Sequence, residues 1–255
     1  MIMGTAITID VRSADLPEST LGTHVEAAFT WFREVDARFS TYKADSEVSR
    51  LRSGQLRIDA ASDDTRYILD RCEELRAATN GYFDAYAGGV LDPSGLVKGW
   101  SVQEASDRLR AAGIDDHFVN AGGDIRVRGT GPDDRPWRIG IAHPWERPKV
   151  AWVVQATDLA IATSGIYERG LHVLDPFTGT PVDALTSVTV TGPDLGTADA
   201  YATAAMAMGL RGLDWLAALD GYESAAITRD RHAYRSSAFP SVAPIPIPDS
   251  DMRPY

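Results

Sequence analysis

Apolar residues recur at steps of three and four over several stretches of the chain, the spacing that gives a helix one buried face. The first stretch predicts a helix over residues 19–38. A second predicted helix covers residues 63–79, because Ser62 supplies an N-cap and Gly81 follows as a stop signal. The remaining helical patterns cover residues 98–113, 198–208 and 213–219.

Short segments of alternating apolar and polar residues predict strands. They cover residues 3–11, 118–120, 124–128, 137–141, 151–156 and 187–191. Because strands and helices come in groups rather than in strict βαβ alternation, the pattern favours an α+β fold. Five prolines mark residues 240–255 as an extended or loosely ordered tail, which leaves residues 1–239 as a single folded domain.

The composition narrows the classes of partner. The chain has 255 residues, 44% of them apolar, and a formal net charge of -11. Nucleic-acid binding needs a concentrated basic patch, which we do not find, whereas a divalent cation shared with a phosphorylated ligand suits an acidic protein. The only cysteine, Cys72, has the spacing of a helical core residue and excludes an intrachain disulfide. No apolar run reaches the ~18–20 residues of a membrane span and no signal-peptide pattern is present, so we expect a cytoplasmic protein.

Four glycine-centred stretches bring polar side chains next to accessible backbone, an arrangement that suits phosphate oxygens. They cover residues 81–89, 91–100, 120–124 and 163–179. Lys98 lies where the third predicted helix begins, and the free N–H groups and dipole of a helix start favour an anion. Each stretch taken alone is also explained by a tight turn.

Asp199 and Thr203 are four residues apart in a predicted helix, so their oxygens lie on one face about one turn apart. A carboxylate, a hydroxyl and nearby carbonyls are the hard ligands that Mg²⁺ prefers, with other positions left for water and phosphate. An acid near a helix cap, followed by an ordinary helical threonine, explains the same spacing.

Taken together and in this order, these stretches resemble the FAD:protein FMN transferases, the ApbE family. The shared landmarks extend from about residue 3 to residue 209. They are Met3-Gly4-Thr5, Phe39-Ser40-Thr41-Tyr42, Gly81-Tyr82-Phe83-Asp84, Lys98-Gly99-Trp100, Asn120 to Asp124, Ala162 to Gly165, His172 to Pro176, and Ala198 to Ala204. Between Gly81 and Lys98 the chain is shorter than most members of the family.

The resemblance implies two coupled α/β halves of T-fold-like topology, with FAD bound in the cleft between them. It also implies a position for each ligand-binding residue. The residues that would bind FAD are Met3, Tyr42, Tyr82, Phe83, Asp84, Asp92 and Lys98. Those that would flank the reacting phosphate are Thr163, Ser164, Gly165, His172 and Val173. The ligands of Mg²⁺ would be the backbone carbonyl at Gly95 and the side chains of Asp199 and Thr203.

The activity that the resemblance implies is Mg²⁺-dependent transfer of FMN from FAD to a serine or threonine hydroxyl of an acceptor protein, with release of AMP. Asp199 would act through the metal, and His172 is the candidate general base, because histidine titrates near neutral pH. A buried structural role is an equal alternative for His172. Two other functions fit the same residues: an FAD pyrophosphatase that uses water as acceptor, and a flavin-binding or flavin-delivery protein without turnover.

Overall fold

The computed structural model of the protein describes residues 1–12, 16–146, 148–166, 173–244 and 252–254. The helices within these ranges are α1 (Glu18–Phe39), α2 (Glu47–Arg52), α3 (Asp63–Ala78), α4 (Ser94–Ala111), α5 (Leu195–Met208) and α6 (Arg211–Ala217). The strands are β1 (Ile7–Arg12), β2 (Asp116–Ala121), β3 (Asp124–Arg128), β4 (Trp137–Ala142), β5 (Val150–Ala156), β6 (Asp158–Gly165), β7 (Leu185–Gly192), β8 (Glu223–Thr228), β9 (Ala233–Arg235), β10 (Ser241–Pro244) and β11 (Met252–Pro254). Within the same ranges, no helix is both long enough and apolar enough to cross a membrane.

The strands form two sheets. Eight of them make one sheet in the order β1-β2-β3-β6-β7-β8-β9-β11, and β10, β5 and β4 make a smaller one. One face of the large sheet carries Val119, Ala162 and Val188, which share a core with α1, α4 and α5. The other face carries Val127 and Ile161, which pack with the small sheet. The expected α+β class is confirmed.

Helix α4 begins at Ser94, four residues before the predicted start at Lys98. Pro93 precedes the helix without a capping side chain, and Gly95 is a poor helix former, so the sequence pattern hides the first turn. The prediction that Lys98 opens the helix was therefore wrong. Lys98 lies in the second turn, and in the first turn the N–H groups of Leu96 and Val97 donate to the carbonyl oxygen of Pro93.

The sequence patterns did not predict five of the strands, which are β6, β8, β9, β10 and β11. Residues 163–165, which a tight turn also explained, continue β6 to its end and pair with β7. Within the proline-rich tail, β10 pairs with β5 of the small sheet, and β11 pairs with β9 of the large one. Strands β10 and β11 are each the outermost strand of their sheet, a position where prolines are tolerated.

Helices α4 and α5 approach each other closely because a glycine lies at their contact. A Cβ atom at Gly99 would lie 2.6 Å from the carbonyl oxygen of Leu195 and 2.9 Å from Cβ of Asp199. No side chain larger than hydrogen fits between two backbones at this separation. The contact fixes the first turns of α5 against the second turn of α4, which is where the candidate site lies.

His117 is a structural residue of the core. Its Nδ1 lies 2.8 Å from the carbonyl oxygen of Ile114, and its Nε2 lies 2.7 Å from the Oγ of Ser106. Burial lowers the pKa of His117 from 6.5 to about 4. The folded protein therefore holds the histidine neutral at a pH where the unfolded chain already binds a proton.

The pKa of His117 predicts a pH dependence of stability. As the pH falls from 6.5 towards 4, the unfolded state gains a proton that the folded state does not, so stability decreases. We expect this group to lower the free energy of unfolding by up to about 3 kcal/mol over that range. Urea denaturation at several pH values should show a flatter dependence for His117→Gln than for the wild-type protein. Equal slopes would contradict the assignment.

Candidate functional site

A lysine and two aspartates meet where α4, α5 and β3 come together. The Nζ of Lys98 lies 2.7 Å from Oδ2 of Asp124, whose side chain is fully buried. Asp199 is 3% exposed, and its Oδ2 accepts a hydrogen bond from the backbone N–H of Gly99 over 3.1 Å. The carboxyl groups of Asp124 and Asp199 are also in contact. Two buried acids with one half-buried base beside them carry excess negative charge, unless a proton or a cation neutralises it.

The pKa of Asp199 reflects this excess of negative charge. Burial is the largest cause that raises this pKa well above the ordinary 3.8, and the neighbouring Asp124 raises it further. The Lys98 ammonium and the Gly99 N–H oppose the shift. A divalent cation beside the carboxylate would reverse the balance and favour its ionised form. The raised pKa therefore marks a place where a bound cation would relieve electrostatic strain.

Two hydroxyl groups and a glycine lie next to this cluster. Thr203 follows Asp199 by one turn in α5, and its Oγ1 lies 3.3 Å from the Oγ of Ser164 in β6. Gly95, in the first turn of α4, faces the same threonine. A Cβ atom on Gly95 would lie 3.6 Å from Thr203 Oγ1 and 3.2 Å from the ring of Phe83. The structure thus brings together six residues that the family resemblance implied for one site: Phe83, Gly95, Lys98, Ser164, Asp199 and Thr203.

The available donor atoms fit a hard divalent cation. Carboxylates, hydroxyls and backbone carbonyls offer only oxygen, which Mg²⁺ prefers. Among the described residues, no group of three or more histidine, cysteine, aspartate or glutamate side chains could hold a metal by itself. A cation at Asp199 would therefore complete its shell with hydroxyl, carbonyl, water and phosphate oxygens, as Mg²⁺ does at nucleotide sites.

A cavity of about 330 Å³ opens beside Lys98, and we call it the flavin cavity after the ligand that the family resemblance implies. Its lining includes Met3, Tyr42 and Asp92, three further predicted FAD contacts. Met3 has a positive φ of 52°, and its N–H donates to Oδ1 of Asp36 over 3.1 Å, which fixes the N-terminal segment at the cavity wall. Tyr42 is 97% exposed, so its ring is accessible to a flat ligand. The volume lies in the range of about 300–1,000 Å³ typical of ligand sites.

Tyr82 and Asp84, which flank the buried Phe83, are engaged by neighbouring protein groups. The Tyr82 ring packs edge-on against Phe177 with 5.0 Å between centroids, and its hydroxyl accepts a hydrogen bond from Arg211 over 2.8 Å. Asp84 accepts a hydrogen bond from the backbone N–H two residues later, over 2.8 Å. Of these three residues, Phe83 is the one in direct contact with the Gly95 position.

The other residues predicted to flank the phosphate lie in different surroundings. The hydroxyl of Thr163 lies 2.9 Å from that of the paired threonine in β7. It points away from the helices, because successive residues of a strand face opposite sides. Gly165 is buried at the end of β6, and Val173 belongs to the core beneath the helices. His172 lies outside the described residues.

Asp124 is a site residue to which the sequence patterns gave no role. It follows Gly122 and Gly123, whose φ angles of 59° and 97° form the turn between β2 and β3. The motif was visible in the sequence, but the partner of its carboxylate was not. Only the packing of β3 beneath α4 brings Asp124 to Lys98.

Comparison with known proteins identifies similar chains. The model of the ApbE family matches residues 3–92 and 87–226. An FAD:protein FMN transferase of Vibrio cholerae is 29% identical over 268 aligned positions, which cover 81% of this chain and 79% of the relative. One of Rhodobacter capsulatus is 38% identical over 212 positions, which cover 80% of this chain and 37% of the relative.

Solved structures have the same fold. The flavin transferase ApbE from Vibrio cholerae superimposes with a TM-score of 0.79 at 27% sequence identity, covering 94% of this chain and 96% of the other. The ApbE protein from Thermotoga maritima superimposes with a TM-score of 0.82 at 23% identity, with the same coverage. The second likeness bears on the fold alone.

Proposed function

The chain belongs to the ApbE family, and on that basis we propose that it is an FAD:protein FMN transferase that modifies a serine or threonine hydroxyl of an acceptor protein with the help of Mg²⁺. The observation that carries the proposal is the buried cluster of Lys98, Asp124 and Asp199, with Thr203 one turn away and the flavin cavity beside it. Lys98 can pair with the diphosphate of a nucleotide and Asp199 can pair with a divalent cation. The two ligands together therefore match the charges of this cluster.

Asp199, Thr203 and the carbonyl of Gly95 would hold the cation. When bound, Mg²⁺ offsets the negative charge that develops on the phosphates during transfer. Lys98 supplies a second positive charge at the same place, and Asp124 holds its ammonium group within 2.7 Å. Because the cluster is buried, these charges act with little screening by solvent.

The flavin cavity would hold the nucleotide so that its diphosphate reaches the cluster. Met3 and Tyr42 offer a thioether and an aromatic ring for stacking against flat rings. Asp92 and Lys98 line the same cavity and offer polar contacts. Phe83 would close the wall beside Gly95 and limit the entry of water.

The proposed reaction transfers the phosphoryl group of FMN from the AMP oxygen to the acceptor hydroxyl. The acceptor hydroxyl oxygen forms a bond to the phosphorus on the FMN side of the pyrophosphate, and the bond from that phosphorus to the AMP oxygen breaks. The hydroxyl proton passes to a general base, for which His172 stays the proposal. AMP leaves with the electron pair, and FMN remains joined to the acceptor as a phosphodiester.

The direct test combines the purified protein with FAD, Mg²⁺ and candidate acceptor proteins from the same genome. We expect a fluorescent flavin band on one acceptor in a denaturing gel, and AMP in equal amount by chromatography. EDTA should remove both signals. AMP and free FMN formed without acceptor labelling would indicate a pyrophosphatase, and FAD binding without product would indicate a binding protein.

A further inference from the structure

A second cavity, of about 530 Å³, lies next to the flavin cavity, and we call it the Val90 cavity. Three of its lining residues are large apolar side chains that remain open to solvent: Ile58, Tyr86 and Val90 are 47%, 51% and 55% exposed. Apolar side chains that are exposed together around one depression are typical of a binding surface. The volume is also within the range of about 300–1,000 Å³ for specific sites.

The Val90 cavity and the flavin cavity share a wall. Leu91 lines the first and the next residue, Asp92, lines the second. Arg52 lines the Val90 cavity and donates hydrogen bonds to the carbonyl oxygens of Leu91 and Thr41, and Thr41 lines the flavin cavity. A segment bound in the Val90 cavity would therefore lie next to FAD bound as we propose.

The rim of the Val90 cavity is acidic. Asp70 and Glu73 line it from α3, and both are exposed. Arg76 lies 3.8 Å from Glu73 and offsets part of its charge, whereas no cation among the described residues forms an ion pair with Asp70. The guanidinium of Arg52 is directed towards carbonyl oxygens and Asp92. The rim therefore favours a basic partner, and it disfavours a second copy of a chain whose net charge is -11.

The Val90 cavity lies where the chain differs in length from its family. The family model matches residues 3–92 and 87–226, so both matches include residues 87–92. An alignment that stops and restarts on the same residues indicates further positions in the family at that point. The alignment with the Vibrio cholerae relative extends over 268 positions while covering 81% of a 255-residue chain, so that relative has positions that this chain lacks.

We propose that the Val90 cavity docks the acceptor protein through a segment with apolar side chains and at least one basic residue near the hydroxyl that is modified. The inference rests on the proposed function and names the part of the partner that is recognised. Apolar contact with Ile58, Tyr86 and Val90 supplies affinity, and Asp70 selects for positive charge. The shared wall then presents the hydroxyl of the docked segment to the flavin cavity.

The test uses Val90→Glu, assayed on the acceptor that the labelling experiment identifies. The exposed position makes folding insensitive to the change, while the new charge opposes an apolar segment. We expect the KM for the acceptor to rise about tenfold, the effect of losing one apolar anchor. The kcat at saturating acceptor and the Kd for FAD should stay unchanged. Val242→Glu, at a valine that is 46% exposed outside the cavity, is the matched control and should alter none of these values.

Each outcome of these measurements either supports or overturns a stated part of the proposal. An unchanged KM for the acceptor in Val90→Glu overturns the docking surface and leaves the proposed function standing. A weaker Kd for FAD would assign the cavity to the flavin, and a changed oligomeric state in size-exclusion chromatography would assign it to self-association; both overturn the proposal. Absence of acceptor labelling by the wild-type protein overturns the function and the docking together. A larger KM for the acceptor in Asp70→Lys supports the selection for basic residues. An unchanged KM would show that Asp70 does not select for them.

Discussion

Replacing Asp199 by asparagine is expected to slow FMN transfer by about a hundredfold or more, because the change removes the only charged group among the proposed ligands of the cation. Asparagine has nearly the same shape, and its side-chain oxygen still accepts the N–H of Gly99 that Asp199 binds over 3.1 Å. The fold should therefore persist. Transfer rates at increasing Mg²⁺ concentration measure the effect, and the variant should need more Mg²⁺ than the wild-type protein.

Asp194→Asn is the matched control on the same helix. Asp194 is the N-cap of α5 and accepts the backbone N–H of Thr197 over 2.8 Å. Asparagine caps helices as well as aspartate does, so this variant should retain both stability and transfer. If Asp199→Asn transfers FMN at the wild-type rate with the same Mg²⁺ dependence, Asp199 is not a metal ligand.

Gly99→Ala is expected to have the largest effect on the fold. The added Cβ would lie 2.6 Å from the carbonyl oxygen of Leu195 and 2.9 Å from Cβ of Asp199, so α4 and α5 must separate. Overpacking of this kind costs about 1–3 kcal/mol or more, because the neighbours are backbone and a buried side chain. The separation also moves Asp199 relative to Lys98, so transfer should fall with stability. Urea denaturation and the transfer rate measure the two effects.

Gly22→Ala separates this effect from a general response to alanine. Gly22 lies inside α1, and a Cβ there meets nothing within 4 Å. Alanine is a better helix former than glycine, so this variant should gain up to about 1 kcal/mol of stability. Equal unfolding midpoints for Gly99→Ala and the wild-type protein would show that the two helices tolerate a wider spacing than the structure has.

The sequence predicts long helices well and their first turns poorly. Helix α1 follows from its apolar periodicity, and α3 follows from its cap, since Ser62 accepts the N–H of Thr65. The start of α4 was missed because Pro93 and Gly95 resemble a loop when read locally. In the folded protein, the Gly95 position in that turn lies against the side chains of Thr203 and Phe83. Such contacts come from the tertiary structure, which local patterns do not contain.

In the candidate site, too, the sequence predicts some relations between residues and misses others. Asp199 and Thr203 lie one turn apart on α5, as their spacing of four residues predicts. Which of Thr163 and Ser164 faces α5 depends on the register of β6 in the sheet, and the glycine-centred motif does not reveal it. The role of Asp124 depends on the order of the strands. Relations across the sheet require the fold itself.

The mass of the acceptor protein after reaction shows whether FMN becomes attached to it. The wild-type protein, incubated with FAD, Mg²⁺ and the acceptor, should increase the acceptor mass by one FMN less one water. Fragmentation should place that mass on a serine or threonine, and Asp199→Asn should reduce the modified fraction strongly. An acceptor of unchanged mass, in a reaction that consumes FAD and releases free FMN and AMP, would contradict the account.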